Sequence, residues 1–410
     1  MTTETTQSGL SAGGRVKGAS DVVVVGAGPA GCAAGIVLAR AGVDVCVIDA
    51  AVFPRDKICG DALSSGSIRL LDELGAGDAV RAGPHAVVDR AAAVFPDGTR
   101  IERRYDEPGL IVRRIDLDDA LRRTLEASGA RLLQGYRVGD LLREGDRVVG
   151  VAGTGLRWSA GVVVAADGYG SRALGPPGPG PARGPWLGLA ATEYWSGVDF
   201  AFGAGTCDHC FEEDLPLGYA WIFPPVDGLS NVGVYVRADT YARQGRRLGD
   251  LFDAFLDRHA ARFRGAERVG PRRAWSLPIA PRPMQVARPG LLVCGDAAGF
   301  IDPFTGEGIW QALSTGILAG ETARDAVREG GLGVALRERY AGDCDRLVTR
   351  PSRRKLLLQH ALRMVVRGGL YRNPLVRAAL RAGYQRRATE ITRSATGRPA
   401  WNSGATRGHL

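Results

Sequence analysis

Gly26, Gly28 and Gly31 stand at the spacing G-x-G-x-x-G, and the acid Asp49 follows about twenty residues on. In such a pattern the first glycine makes a tight turn. The second lets backbone approach a pyrophosphate, and the third lets a helix pack close to a strand. The helix N-terminus then holds the phosphates, and the acid bonds a ribose hydroxyl. The chemistry implied is capture of a dinucleotide. It requires a strand before the glycines, a helix after them and a second strand ending at the acid. The chain supplies all three: the apolar run 21–25, a small-residue helix from Cys32 to Arg40 ended by Gly42, and the run 43–48.

Other segments carry chemistry-bearing residues. Residues 53–61, FPRDKICGD, hold Lys57 and Cys59. Residues 166–171, ADGYGS, follow an apolar strand and hold Asp167 and Gly168. Residues 294–308, CGDAAGFIDPFTGEG, run from a strand into a helix and hold Asp296, Pro303, Gly306, Glu307 and Gly308. Tyr219, Trp221 and Phe223 alternate in GYAWIFP (218–224), so one face of a strand carries all three rings. Cys207-Asp-His-Cys210 offers a CxxC with no second half-site, so no metal is expected and the segment reads as a loop.

GxGxxG, then ADG, then GDAA, in that order, resembles the two-domain flavoprotein monooxygenase fold of para-hydroxybenzoate hydroxylase. Within it, FPRDKICGD, GYAWIFP and GDAAGFIDPFTGEGI resemble the geranylgeranyl reductase family, over roughly residues 21–340. The resemblance implies an α/β fold: a Rossmann-type FAD-binding domain, an inserted, mainly antiparallel substrate domain and a helical C-terminal end. It implies FAD bound by Gly26, Gly28, Gly31, Asp49, Arg113, Asp167, Gly168, Asp296, Pro303, Gly306 and Gly308. Arg114, beside Arg113, is the alternative at that position. Asp296 would bond the ribityl chain. The helix N-terminus after Gly308 would face the flavin pyrimidine edge, where reduced flavin is anionic. Tyr219, Trp221 and Phe223 would wall an apolar substrate cavity. Cys59 would lie near the isoalloxazine, and Glu307 is a proton-donor candidate by position. With one fingerprint in the chain, NAD(P)H or another electron donor would dock transiently.

The implied reaction is reduction of a carbon–carbon double bond in an isoprenoid or related secondary metabolite. The alternative is a monooxygenase acting on an aromatic or indole ring. Halogenation is the weaker variant: Lys57 matches a halogenase lysine, but Tyr219-Ala-Trp221-Ile-Phe223-Pro224 departs from the halogenase pattern WxWxIP.

A length of 410 residues with 45% hydrophobic and 24% charged composition excludes bulk disorder and implies two or three lobes. The FAD-binding domain is expected over 21–85, 105–182 and 285–345, and the substrate domain over 86–104 and 183–284. Residues 1–20 and 395–410 are expected as flexible tails, and 346–394 as a basic helical segment. That last part concentrates the charge. Fifteen basic residues and one acid lie from Arg346 to Leu410, so the rest of this +9 chain is net negative by five. A helix broken at Gly368-Gly369 and another beginning at Asn373-Pro374 alternate arginine with apolar residues, a pattern suited to an anionic membrane surface. No nucleic-acid motif accompanies the charge. No signal peptide or spanning segment is read, and seven scattered cysteines fit a reducing compartment. The expected location is the cytoplasm, at the periphery of the inner membrane face.

Overall fold

The computed structural model describes residues 16–171, 184–200, 203, 205–242, 245–281 and 285–394. Residues 1–15 of the tail expected over 1–20, the tail expected at 395–410, and most of the proline-glycine stretch 175–185 lie outside the described residues.

Val22 to Val25 have both faces buried, as a central parallel strand requires. Their strand, Val16–Val25, pairs in parallel with Val45–Asp49 on one side and Leu156–Ala165 on the other. Arg131–Gln134 and Leu291–Val293 extend the parallel array outward, and an antiparallel hairpin, Val138–Glu144 with Arg147–Gly153, joins at Leu156–Ala165. The strand begins five residues inside the segment expected to be a tail. Val16 to Ser20 lack an apolar signature, but they pair with 156–160, and Trp158 donates its Nε1–H to Ser20 Oγ at 2.9 Å. The ring also leaves no room for a side chain at Gly18: a Cβ there would lie 2.5 Å from it.

The fingerprint helix Pro29–Arg40 packs on the long helix Ile309–Arg328. Small residues permit near backbone contact: a Cβ on Gly316 would lie 2.2 Å from Ala30 O, and one on Gly320 2.9 Å from Ala34 O. The two helices that open at the glycine motifs are thereby locked together.

The second sheet runs Glu267–Pro278, Leu187–Ser196, Leu229–Arg237, Tyr219–Ile222, Thr206–Cys210, Ala86–Val94, Arg100–Ile111 and Ala62–Leu63. It is antiparallel except where Thr206–Cys210 meets Ala86–Val94. It reaches past both expected borders: Arg100–Ile111 continues beyond residue 104, and Ala62–Leu63 joins from the region assigned to the other domain. The CxxC segment is a strand, not a loop. Its odd spacing puts Cys207 and Cys210 on opposite faces, each thiol in a different apolar cluster. Helices Arg350–Arg367 and Pro374–Ser394 close the chain. Asn373 caps the second one, its Oδ1 accepting Leu375 N–H at 2.9 Å. No described helix is long and apolar enough to cross a membrane.

Candidate active site

The glycine turn has the geometry its spacing implies. Gly26 adopts φ +97°, and its N–H donates to Ile48 O at 2.7 Å. A Cβ on Gly31 would lie 1.7 Å from Gly26 O, so no other residue fits there without moving the turn. Gly28 is the N-cap of Pro29–Arg40 and provides no side-chain cap, which leaves the first N–H groups for a ligand. A Cβ at Gly28 would meet only Arg55 Nη2, at 3.7 Å. An open helix N-terminus with a guanidinium beside it suits a pyrophosphate. Asp49 does more than sequence reasoning assigned it. Its Oδ2 accepts Ala27 N–H at 2.6 Å and its Oδ1 accepts Ala51 N–H at 2.7 Å. The carboxylate shapes both loops and keeps lone pairs for a ribose.

The distant motifs converge on this turn. The Cβ position of Gly26 lies 3.0 Å from Asp167 Cα, and Cys294 N–H donates to Ala165 O at 3.0 Å. Gly168, at φ +77°, turns the chain away after Asp167. Lys57 Nζ lies 3.3 Å from Asp296 Oδ2, tying the FPRDKICGD loop to the GDAA segment.

Arg113 and Arg114 have separate fates. Arg113 caps helix Arg114–Ala127 and reaches Asp116 and Asp227, both at 3.1 Å. Arg114 is buried and bidentate on the fully buried Asp118, at 2.9 and 2.8 Å, and Asp118 also receives Arg55 at 2.5 Å. Burial opposes the Arg114 cation, but Asp118 and Cys59 outweigh it and hold its proton more tightly than usual. For Cys59 burial dominates and raises the thiol's pKa, with Arg114 working the other way.

The loop Pro303–Gly308 is gripped from the second sheet and from the C-terminal helix. Asp302 sits beneath it, 1% exposed, with Oδ1 accepting Phe304 N–H at 2.8 Å and Thr305 N–H at 3.0 Å. Lys355 pairs with Asp302 Oδ2. Gln359 Nε2 donates to Pro303 O at 2.8 Å, and the Tyr235 hydroxyl donates to the same carbonyl at 3.0 Å. The Tyr219 hydroxyl donates to Thr305 O. Gly306 takes φ +69°, and Gly308 opens helix Ile309–Arg328 without a side-chain cap, a second free N-terminus. Glu307 accepts from Ser64 Oγ at 2.6 Å; burial raises its pKa against that bond.

Tyr219, Trp221 and Phe223 do share a face, with successive ring centroids 6.1 and 6.0 Å apart. The Cys59-Gly60 turn sits on this wall: a Cβ at Gly60 would lie 3.4 Å from the Phe223 ring and 3.7 Å from Trp221. His209 joins from the neighbouring strand, its ring 5.4 Å from Tyr219 and 5.5 Å from Phe223. Burial, with Arg103 adding to it, pushes its pKa down to about 4, so it is neutral. Asn231 organises the wall. It accepts from Trp221 Nε1 at 2.9 Å and from Thr192 Oγ1 at 2.7 Å, and donates to Cys59 O at 2.9 Å and Asp61 Oδ2 at 2.7 Å.

Sequence reasoning did not single out Arg55, Asn231, Lys355 or Gln359. Arg55 lies inside a motif already marked. Lys355 had a faint signal, being one of three lysines among 53 basic residues. Asn231 and Gln359 had none, because only the folded chain brings them to the motifs.

The free helix ends, the clamped glycine loops and the guanidinium beside Gly28 fit FAD. Comparison with known proteins agrees. The model of the FAD binding domain matches residues 19–318. A menaquinone reductase of Mycobacterium tuberculosis is 34% identical over 76% of this chain and 79% of its own length. A digeranylgeranylglycerophospholipid reductase of Methanopyrus kandleri is 32% identical over 78% of this chain and 81% of its own. Among solved structures, a geranylgeranyl bacteriochlorophyll reductase-like protein of Thermoplasma acidophilum superposes with TM-score 0.77 at 22% identity, covering 87% of this chain and 90% of that one.

Proposed function

We propose that this chain, which belongs to the FAD-binding domain family and is an FAD-dependent oxidoreductase of the geranylgeranyl reductase type, reduces a carbon–carbon double bond in an apolar substrate bearing an isoprenoid chain. One observation carries the reading. The Cys59-Gly60 turn, from a flavin-domain motif, rests on the rings of Trp221 and Phe223, so redox site and apolar wall form one dry surface. Bound FAD supplies hydride chemistry. The chain's own residues bind, orient and exclude water. Gly26, Gly28, Gly31, Arg55 and Asp49 would hold the pyrophosphate and ribose, Asp296 the ribityl chain, and the Pro303–Gly308 loop the pyrimidine edge. Asp167 and Gly168 would face FAD and the channel for a transient reductant such as NAD(P)H, and Arg113 would contact FAD. Tyr219, Trp221 and Phe223 would wall the prenyl chain, with Cys59 and Glu307 beside the reacting end.

The test is anaerobic turnover with prereduced enzyme and a prenylated quinone. Saturated product formed without oxygen supports reduction; product only with oxygen, and carrying an oxygen atom from it, supports a monooxygenase instead.

A lipid substrate also gives the C-terminal helices a purpose. Leu357, 73% exposed, and Met364 lie two turns apart on one helix, and Leu375, 81% exposed, opens the next. Exposed Arg353, Arg354, Arg367, Arg372 and Arg381 lie along the same stretch of chain. Exposed apolar side chains interspersed with arginine suit an anionic bilayer surface. Co-sedimentation with vesicles containing phosphatidylglycerol, lost on Leu357→Glu with Leu375→Glu and weakened by salt, checks this; equal binding by the variant refutes it.

A further inference from the structure

Reduction of a double bond consumes a hydride and a proton, and the proton needs a holder. His209 is neutral and Glu307 is engaged by Ser64. Asp61 is a different case. It ends the FPRDKICGD segment at φ +65°, a left-handed conformation uncommon outside glycine, and is 1% exposed. Its Oδ2 accepts the Tyr194 hydroxyl at 2.5 Å and Asn231 Nδ2–H at 2.7 Å. Its Oδ1 is buried and has no hydrogen-bond partner among the described residues. Asn231 cannot turn its carbonyl toward Asp61 without losing both Trp221 Nε1–H and Thr192 Oγ1–H, so the network holds Oδ2 as the acceptor.

A bare carboxylate oxygen in a dry site is costly, and a proton on it removes the cost. Asn231 ties Asp61 to Cys59 O and to Trp221 of the aromatic wall; from that position, and resting on the reductase reading above, we propose that Asp61 holds on Oδ1 the proton that the reduction consumes. The charges facing it agree. Burial raises its pKa to about 6, while the Tyr194 and Asn231 bonds and Arg114 pull down and Asp56 pushes up. The balance closes. With reduced FAD bound, one carbon of the double bond would take the hydride the cofactor supplies and the other would take the Asp61 proton. Two C–H bonds would form as the π bond, the hydride donor's bond and the carboxyl O–H break. The substrate would gain the two electrons the cofactor loses, and the Asp61 carboxylate would regain a proton from water.

Asp61→Asn tests this, since asparagine tolerates the left-handed backbone and cannot titrate. A folded-state pKa above the unfolded value gives stability that is full below about pH 4 and lost as pH rises through about 6. Wild-type apoprotein should lose urea resistance across that window relative to Asp61→Asn, and should show a protonated-carboxyl infrared band at pH 5 that the variant lacks. Tyr194→Phe, which removes a bond that lowers the pKa, should move the transition to higher pH and serves if Asp61→Asn does not fold. With prereduced flavin bound, single-turnover reduction by Asp61→Asn should slow about a hundredfold or more, while FAD affinity stays within twofold. Identical stability profiles, or a variant as fast as wild type, overturn the proposal. Wild type that reduces no prenyl substrate, with the infrared and stability signals intact, overturns the reductase reading and leaves Asp61 as the proton-holding site.

Discussion

Replacing Lys355 by methionine should loosen the flavin loop from a distance. Lys355 lies on helix Arg350–Arg367, outside every glycine motif, yet it neutralises Asp302 beneath Pro303–Gly308. Deleting one partner of a fully buried ion pair costs roughly 3–5 kcal/mol. Two features reduce that figure here. Lys355 is about a third exposed, and Asp302 keeps the N–H groups of Phe304 and Thr305. A loss of about 1–3 kcal/mol follows. Since about 1.4 kcal/mol is tenfold in affinity, FAD binding should weaken by about 5- to 140-fold if the loss falls on the liganded loop. FAD titration by fluorescence quenching measures this, beside urea unfolding of the apoprotein. Adding Asp302→Asn should recover part of the loss, because no uncompensated carboxylate then remains, and the double-mutant cycle isolates the coupling. Lys355→Met with wild-type FAD affinity and a wild-type urea midpoint would refute the clamp.

Gly31→Ala should purify colourless, since its Cβ would lie 1.7 Å from Gly26 O; a flavin absorbance band at wild-type occupancy contradicts the cradle. Asn231→Leu leaves Trp221 Nε1 and Cys59 O without their partner, while Thr192 Oγ1 keeps Val232 O and Asp61 keeps Tyr194, and should cost roughly 2–6 kcal/mol by urea melt, at about 1–3 kcal/mol for each buried group left unpaired; an unchanged midpoint removes Asn231 as organiser. Cys59 alone among the seven cysteines is not fully buried, so mass-mapped alkylation should mark it first. Its raised pKa should keep that reaction slow at pH 7, and bound FAD should block it; equal labelling with and without FAD places Cys59 away from the flavin.

The dinucleotide unit was legible in the sequence because its constraints are local and steric. A β-branched apolar run, glycines where a Cβ would strike backbone and an acid at the next strand end are each a short-range requirement, and Gly26, Gly31 and Asp49 meet them in the fold. The ring alternation of Tyr219, Trp221 and Phe223 was legible for the same reason, since strand geometry fixes a shared face. Tertiary structure alone decided the rest. Val16 to Ser20 form a strand only because Trp158 and its neighbours receive them. Two of the three lysines meet two aspartates of one segment, Lys57 on Asp296 and Lys355 on Asp302, across 239 and 53 residues of chain. Asn231 and Asp61 meet across 170. Ion pairs and hydrogen bonds between such distant residues leave no periodicity behind, because the partners are chosen by which surfaces the packed sheets and helices bring together.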